Sequence, residues 1–128
     1  MVIGVLTTSY PRHADDHAGS FVGDRVRALL DAGHAVDVIA AGPDGATTRA
    51  RADRLTITRI GGGAVGSLFD GEGAPERLER GGARAWLAAL GFWNAQAAAL
   101  RARAAALDAV EAHWLLPSAA VAIQAAPG

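Results

Sequence analysis

Residues Val2 to Ala41 read VIGVLTTSYPRHADDHAGSFVGDRVRALLDAGHAVDVIAA. The run Val2 to Thr8 is almost continuously apolar and rich in β-branched residues. A strand covered on both faces need not alternate, so this run predicts a buried parallel strand. Pro11 removes a ladder donor and ends central-sheet pairing, which leaves Ser9 to Gly19 as a polar loop. From Ser20 to Ala32 the residues Phe21, Val22, Val26, Leu29 and Leu30 recur at helical spacing. Asp24, Arg25, Arg27 and Asp31 occupy the opposite face. Ser20 stands where a capping hydroxyl is expected, and Gly33 where a left-handed residue closes a helix. Ala35 to Ala41 then predicts a second strand. Strand, helix, glycine turn and strand make a βαβ unit with an expected right-handed crossover.

Beyond this unit, Gly42 to Asp53 reads as a polar loop. Leu55 to Ile60 (LTITRI) alternates with period two and predicts a third strand at a sheet edge, with one wetter face. Gly61 to Gly73 is glycine-rich and predicts a mobile loop. A long helix is expected from about Gly82 to Leu107. Its stripe of Trp86, Leu90, Trp93, Ala97, Leu100, Ala104 and Leu107 predicts core packing for Trp86 and Trp93. Asp108 to His113 predicts a short fourth strand, and Pro117 the first turn of a helix running from Ser118 to Ala126. The expected fold is a single α/β domain over residues 1–128. It is a Rossmann-like, open, mostly parallel sheet of strand order 3-2-1-4 with helices on both faces. Ligands of such sheets bind at the carboxyl strand ends beside the point where strand order reverses. The loop Ser9 to Ser20 and the tip His113 to Ser118 meet there.

Composition narrows the chemistry. Half the 128 residues are hydrophobic, at 51%, so a core can be buried. The apolar runs are too short for a membrane span, and no basic stretch leads into one, so no secretory leader is expected. A net charge of −1 argues against nucleic acid as a partner. There is no cysteine, which excludes disulfides, thiolate metal sites and cysteine nucleophiles. All 12 basic residues are arginine, so lysine Schiff-base and P-loop chemistry are excluded as well.

Two places remain for chemistry. Tyr10 to Ser20 combines an arginine, two histidines, a glycine and a hydroxyl at a helix N-terminus, where free N–H groups favour an anion. Two readings fit it: a ligand loop in which Gly19 lets the ligand approach the backbone, or a solvated loop of turn formers. His13, Asp15, Asp16 and His17 are permissible metal donors, but no second half of a site stands elsewhere, so no metal is expected. His113 closes the fourth strand, where it either anchors a ligand by proton donation or acceptance or only ties down a neighbouring loop. Trp114 beside it either stacks on a ligand or covers the sheet edge. Phe92, with Trp86 and Trp93, either lines a pocket or packs in the core. Gly61, Gly63 and Gly66 match dinucleotide-motif spacing. However, they follow the third strand, and Ser67 to Gly73 does not read as a stable helix, so nicotinamide or flavin binding is not expected. No serine triad can be argued, and there is no nucleophile elbow.

These residues resemble the opening of a family 4 glycosyltransferase of the GT-B fold. The resemblance rests on the apolar first strand followed by Ser9-Tyr10-Pro11, on Ala18-Gly19-Ser20-Phe21-Val22 and on Ala32 to Ile39. Asp108 to Pro117 (DAVEAHWLLP) is similar to the family's later strand ending in histidine and tryptophan. Gly42 to Arg103 matches only in layout. Two departures stand out: Gly19 replaces the usual paired glycines, and Glu111 stands where the family often has a first histidine. The resemblance implies a retaining, metal-independent transferase moving a sugar from a nucleotide-sugar donor to a glycan, lipid or small-molecule acceptor. It implies a catalytic role for His113 and substrate binding by Tyr10, Arg12, Gly19, Ser20 and Trp114. It implies no cofactor, with the donor bound mainly by a second domain, in cis or in trans. The expected location is cytoplasmic or at the inner face of the membrane; Arg12, Arg49, Arg51 and Arg54 either touch anionic lipid or a phosphorylated acceptor, or are simply solvated. On this reading the chain is half of the GT-B architecture, incomplete at Ala126-Pro127-Gly128 and inactive alone. The alternatives are a stand-alone α/β interaction module that dimerises through an exposed fourth strand, and an NAD(P)-linked oxidoreductase, which would be stabilised by its nucleotide.

Overall fold

The computed structural model describes residues 1–43, 45–62, 65–69 and 74–125, with the side chains of 66, 67, 74 and 115 excepted. Five strands are β1 (Val2–Leu6), β2 (Ala35–Ala41), β3 (Thr48–Ala52), β4 (Leu55–Ile60) and β5 (Ala109–Ala112). The helices are α1 (Ser20–Asp31), α2 (Val65–Phe69), α3 (Ala74–Arg103) and α4 (Ala120–Ala125). The sheet order is β3-β4-β2-β1-β5. β1 pairs in parallel with both β2 and β5, and β2 with β4, whereas β3 runs antiparallel to β4. The fold is thus an α/β open sheet, mostly parallel, of the Rossmann-like kind.

Its strand order differs from the expected 3-2-1-4 by one strand. The four expected strands keep their mutual order, and β3 is added outside β4. The alternating strand Leu55–Ile60 is therefore interior and not at the edge. β3 reads as loop in the sequence because TRARA carries no apolar period; all five of its residues are exposed. Arg49 and Arg51 alternate along it, and charged side chains are a common way of keeping an edge strand from pairing with a second chain.

Side-chain alternation sends each strand into two cores. Ile3, Val5, Val36, Val38 and Ala40 face α1 and meet its Val22, Val26 and Leu29. Leu6, Ile39 and Ile60 face the other way and meet Phe92, Ala97 and Leu100 of α3 and Val121 of α4. Both faces are covered, which is why β1 and β2 are nearly uniform apolar runs. Val5 and Val38 are wholly buried, each worth about 1.5–3 kcal/mol of transfer free energy. Gly33 adopts φ 91° just after α1, the left-handed conformation expected at that place.

Three readings of the second half are corrected. Val65–Phe69 is helical although its segment reads as loop. Val65 and Leu68 are buried and Phe69 packs on Phe92 at 4.7 Å between ring centroids, so packing outweighs local propensity. In α3, Phe92 is fully buried, whereas Trp86 and Leu90 of the proposed stripe are 57% and 56% exposed. Trp93 packs partly against the core. Gly82, at φ 58° and ψ −148°, is not helical and kinks α3: the expected helix starts there, and a further helical run from Ala74 precedes it. Finally, Pro117 lies in a π-helical turn, Leu115–Ala119, and α4 starts only at Ala120. Gly63, Asp70 to Gly73 and the ending Ala126 to Gly128 lie outside the described residues, so the dinucleotide-like spacing is only partly described.

Candidate functional site

The carboxyl ends of β1 and β5 adjoin, and the chain leaves each of them differently. After β1, buried Thr7 donates from its hydroxyl to the Ser9 carbonyl at 2.9 Å and accepts from the Ser9 N–H at 3.2 Å. This turns the chain away from the sheet. Gly19, at φ 71°, closes the loop onto that turn. A Cβ at Gly19 would lie 2.3 Å from the Ser9 carbonyl oxygen, so the loop's own packing requires glycine there. Gly19 is the N-cap residue of α1 and Ser20 its exposed first residue, without the capping hydrogen bond expected from its hydroxyl.

The loop between them is built and not merely solvated. Asp16 accepts from the Arg12 backbone N–H at 2.9 Å, from Arg12 Nε at 3.0 Å and from the Ala18 N–H at 3.1 Å. These bonds to its ionised form hold the Asp16 carboxyl far below the ordinary carboxylate range. From the end of β4, Arg59 donates to the carbonyls of Tyr10 at 3.0 Å and Pro11 at 2.6 Å, and its guanidinium lies 5.6 Å from the Tyr10 ring centroid. Burial lowers the Arg59 pKa and raises that of Tyr10. Tyr10 and Arg12 are thus engaged within the loop. Among the described residues no group of three or more His, Asp or Glu stands together in a way that would hold a metal.

After β5 the chain places His113 and then Trp114. The His113 N–H still bonds the Leu6 carbonyl at 2.8 Å, which pins the histidine to the end of β1. Trp114 takes φ 78°, rare for a residue with a side chain, and is 53% exposed. Phe21, the second residue of α1, joins the two segments. Its ring meets His113 edge-on at 5.7 Å and Trp114 at 5.9 Å. Of the expected site residues, the structure therefore brings His113 and Trp114 against the α1 N-terminus that carries Gly19 and Ser20. Tyr10 is bound instead by Arg59 of β4, and Arg12 by Asp16 within the loop.

Three residues here were not anticipated. Phe21 reads as part of the buried stripe of α1, yet it is half exposed and forms an aromatic corner with Trp114. Glu111 lies on the same strand face as His113, and its Oε1 stands 2.9 Å from His113 Nε2. Arg25 of α1 also grips Glu111, donating from Nε to both carboxylate oxygens at 3.1 Å and from Nη2 at 2.9 Å. The Arg25 hydrogen bonds and charge hold the Glu111 carboxyl below its usual value. The two-residue spacing of Glu111 and His113 was legible as a shared face; the partnership with Arg25 was not. Beneath the strand ends, fully buried Gln96 of α3 donates to the carbonyls of Thr7 at 3.2 Å and Ile39 at 3.4 Å, tying α3 to the same end of the sheet.

No family model matches the chain, and neither does any curated protein or solved structure.

Proposed function

We propose that this chain is the acceptor-side domain of a glycosyltransferase of the family 4 type, one half of a GT-B architecture. The reaction is transfer of a sugar, with retention and without a metal, from a nucleotide-sugar donor to a glycan, lipid or small-molecule acceptor. The observation that supports it most is the meeting of the two resembling segments at the carboxyl end of the sheet. The α1 N-terminus and the His113-Trp114 tip are separate in sequence, yet Phe21 touches both members of the tip. The carboxyl ends of strands beside a reversal of strand order, as at β1 and β5, are where open α/β sheets bind ligands.

In this reading His113 orients a hydroxyl of the transferred sugar or the acceptor. The Ser20, Val22 and Gly23 N–H groups bond the carbonyls of His17 and Gly19, so α1 acts on the charge developing on the donor phosphate through the positive end of its dipole. Trp114 and Phe21 offer exposed aromatic faces to a sugar ring. Gly19 and Ser20 shape the helix end, while Tyr10 and Arg12 serve by holding the loop. The nucleotide is bound chiefly by a second, donor-binding domain, and the reaction takes place in the cytoplasm or at the inner membrane face.

The test is transfer by the protein carrying this chain together with its donor domain. Replacing His113 with Ala is expected to lower kcat by about 10²–10⁴-fold, the usual worth of a positioned proton-transfer group. Wild-type turnover by H113A, with circular dichroism unchanged, would remove His113 from the reaction.

One observation favours a second reading, an interaction module without catalysis. β5 ends the sheet, and among the described residues its outer edge is unpaired. Dimers in sedimentation, together with no transfer from any nucleotide sugar, would select that reading.

A further inference from the structure

The contact between Glu111 and His113 has a consequence for which imidazole nitrogen carries the proton. Glu111 is held ionised and in place by the two-nitrogen grip of Arg25. Its Oε1 stands 2.9 Å from His113 Nε2, a nitrogen buried from solvent. The contact is short but bent, and no aligned hydrogen bond reaches Nε2 from the described residues. A bare Nε2 would leave two electron-rich atoms 2.9 Å apart, with Nε2 itself closed to water. A protonated Nε2 meets an acceptor instead. Phe21 packs edge-on against the ring at 5.7 Å and limits its freedom to turn over.

We infer that Glu111 is a positioning residue. Clamped by Arg25, it holds neutral His113 in the Nε2–H tautomer and leaves Nδ1 as the ring's lone-pair acceptor, suited to a ligand that donates a hydroxyl. Neutral imidazole has one donor and one acceptor, so the charge that one nitrogen faces sets the role of the other. This inference deepens the proposed transfer reaction, because a polyhydroxylated sugar or acceptor is such a ligand. It does not depend on catalysis for its test.

The experiment is long-range proton–nitrogen NMR of the histidine rings in the ¹⁵N-labelled chain, with His113 assigned by its loss in H113A. It is run at about pH 8.5, roughly two units above the ordinary imidazole pKa. Wild-type His113 should show a protonated, pyrrole-type Nε2 and a bare, pyridine-type Nδ1. In E111Q the single amide oxygen is claimed by Arg25, so the amide NH₂ turns to His113. The pattern should then invert, with the proton on Nδ1. A wild-type spectrum with the proton on Nδ1 overturns the inference without any variant. So does a ring pattern identical in wild type and E111Q. If E111Q does not fold, E111A takes its place, and there loss of the single-tautomer pattern is expected and its persistence overturns the inference. Failure of transfer activity would strike the reaction and leave this result standing. A wrong tautomer would strike Glu111's role and leave the reaction open.

Discussion

Asp16 carries more of the β1–α1 loop than its position in a polar stretch suggests. Three hydrogen bonds from Arg12 and Ala18 converge on its carboxylate. They favour the ionised form, so the folded pKa lies below the unfolded value of about 3.9. A carboxylate depressed in this way contributes stability that is fully present above its unfolded pKa. That stability fades as pH falls below it toward the folded pKa. Asp16→Asn is therefore expected to cost about 1 kcal/mol near neutral pH, after allowance for solvent screening. The gap between wild type and variant should shrink steadily below about pH 4. Urea denaturation of both proteins at several pH values measures it; a gap independent of pH would show that charge plays no part. Gly19, at the other end of the loop, explains why one glycine suffices here. Its missing side chain is used by the loop against the Ser9 carbonyl, not by a ligand.

Among the elements, α3 is joined to the sheet by two polar ties besides its apolar face. Gln96 reaches the strand ends, and Arg103 Nε reaches Asp37 Oδ2 at 2.5 Å in the middle of β2. The Asp37 side chain is 3% exposed. Removing its counter-charge leaves a carboxylate buried without compensation, which is far costlier than the net worth of the pair. Arg103→Ala is expected to lower stability by about 3 kcal/mol, seen as a lower urea midpoint with an unchanged slope. Loss of less than about 1 kcal/mol would mean that water reaches Asp37 once Arg103 is gone. Asp37 also illustrates the limit of reading the elements from sequence. β1, α1, β2 and β4 were legible almost to their boundaries, because their apolar spacing and the glycine after α1 are local signals. An aspartate inside β2 gives no sign of a partner 66 residues away. β3 was hidden because an edge strand of arginine, threonine and alanine has no apolar period. The stripe on α3 misled because Ala83 to Trp93 is apolar on nearly every side. Periodicity then cannot say which face the sheet will cover.

At the scale of the molecule, the candidate site is a product of topology. The order of β1 and β5 placed His113 beside the first loop, and that much could be read from the succession of elements. Which loop residues turn toward His113 could not, because it depends on β4, two strands away from β1 in the sheet. Arg59 extends from the end of β4 and binds the carbonyls of Tyr10 and Pro11, so the far half of the sheet fixes the loop's path. This predicts coupling across the sheet. Arg59→Met keeps much of the apolar stem but deletes both charged hydrogen bonds. Each is worth about 1.5–3 kcal/mol, and about 1.4 kcal/mol is a tenfold change in an equilibrium. The loop's local opening should therefore become at least roughly 10-fold more frequent. Hydrogen exchange should quicken at the amides of Arg12, Asp16 and Ala18, which are bonded within the loop. The amides of β1 and β2 should keep their rates, because their bonds open only with the global fold. Faster exchange in the strands as well would mean that Arg59 holds the sheet as a whole and not the loop. Unchanged exchange in the loop would mean that Asp16 and Gly19 fix its path unaided.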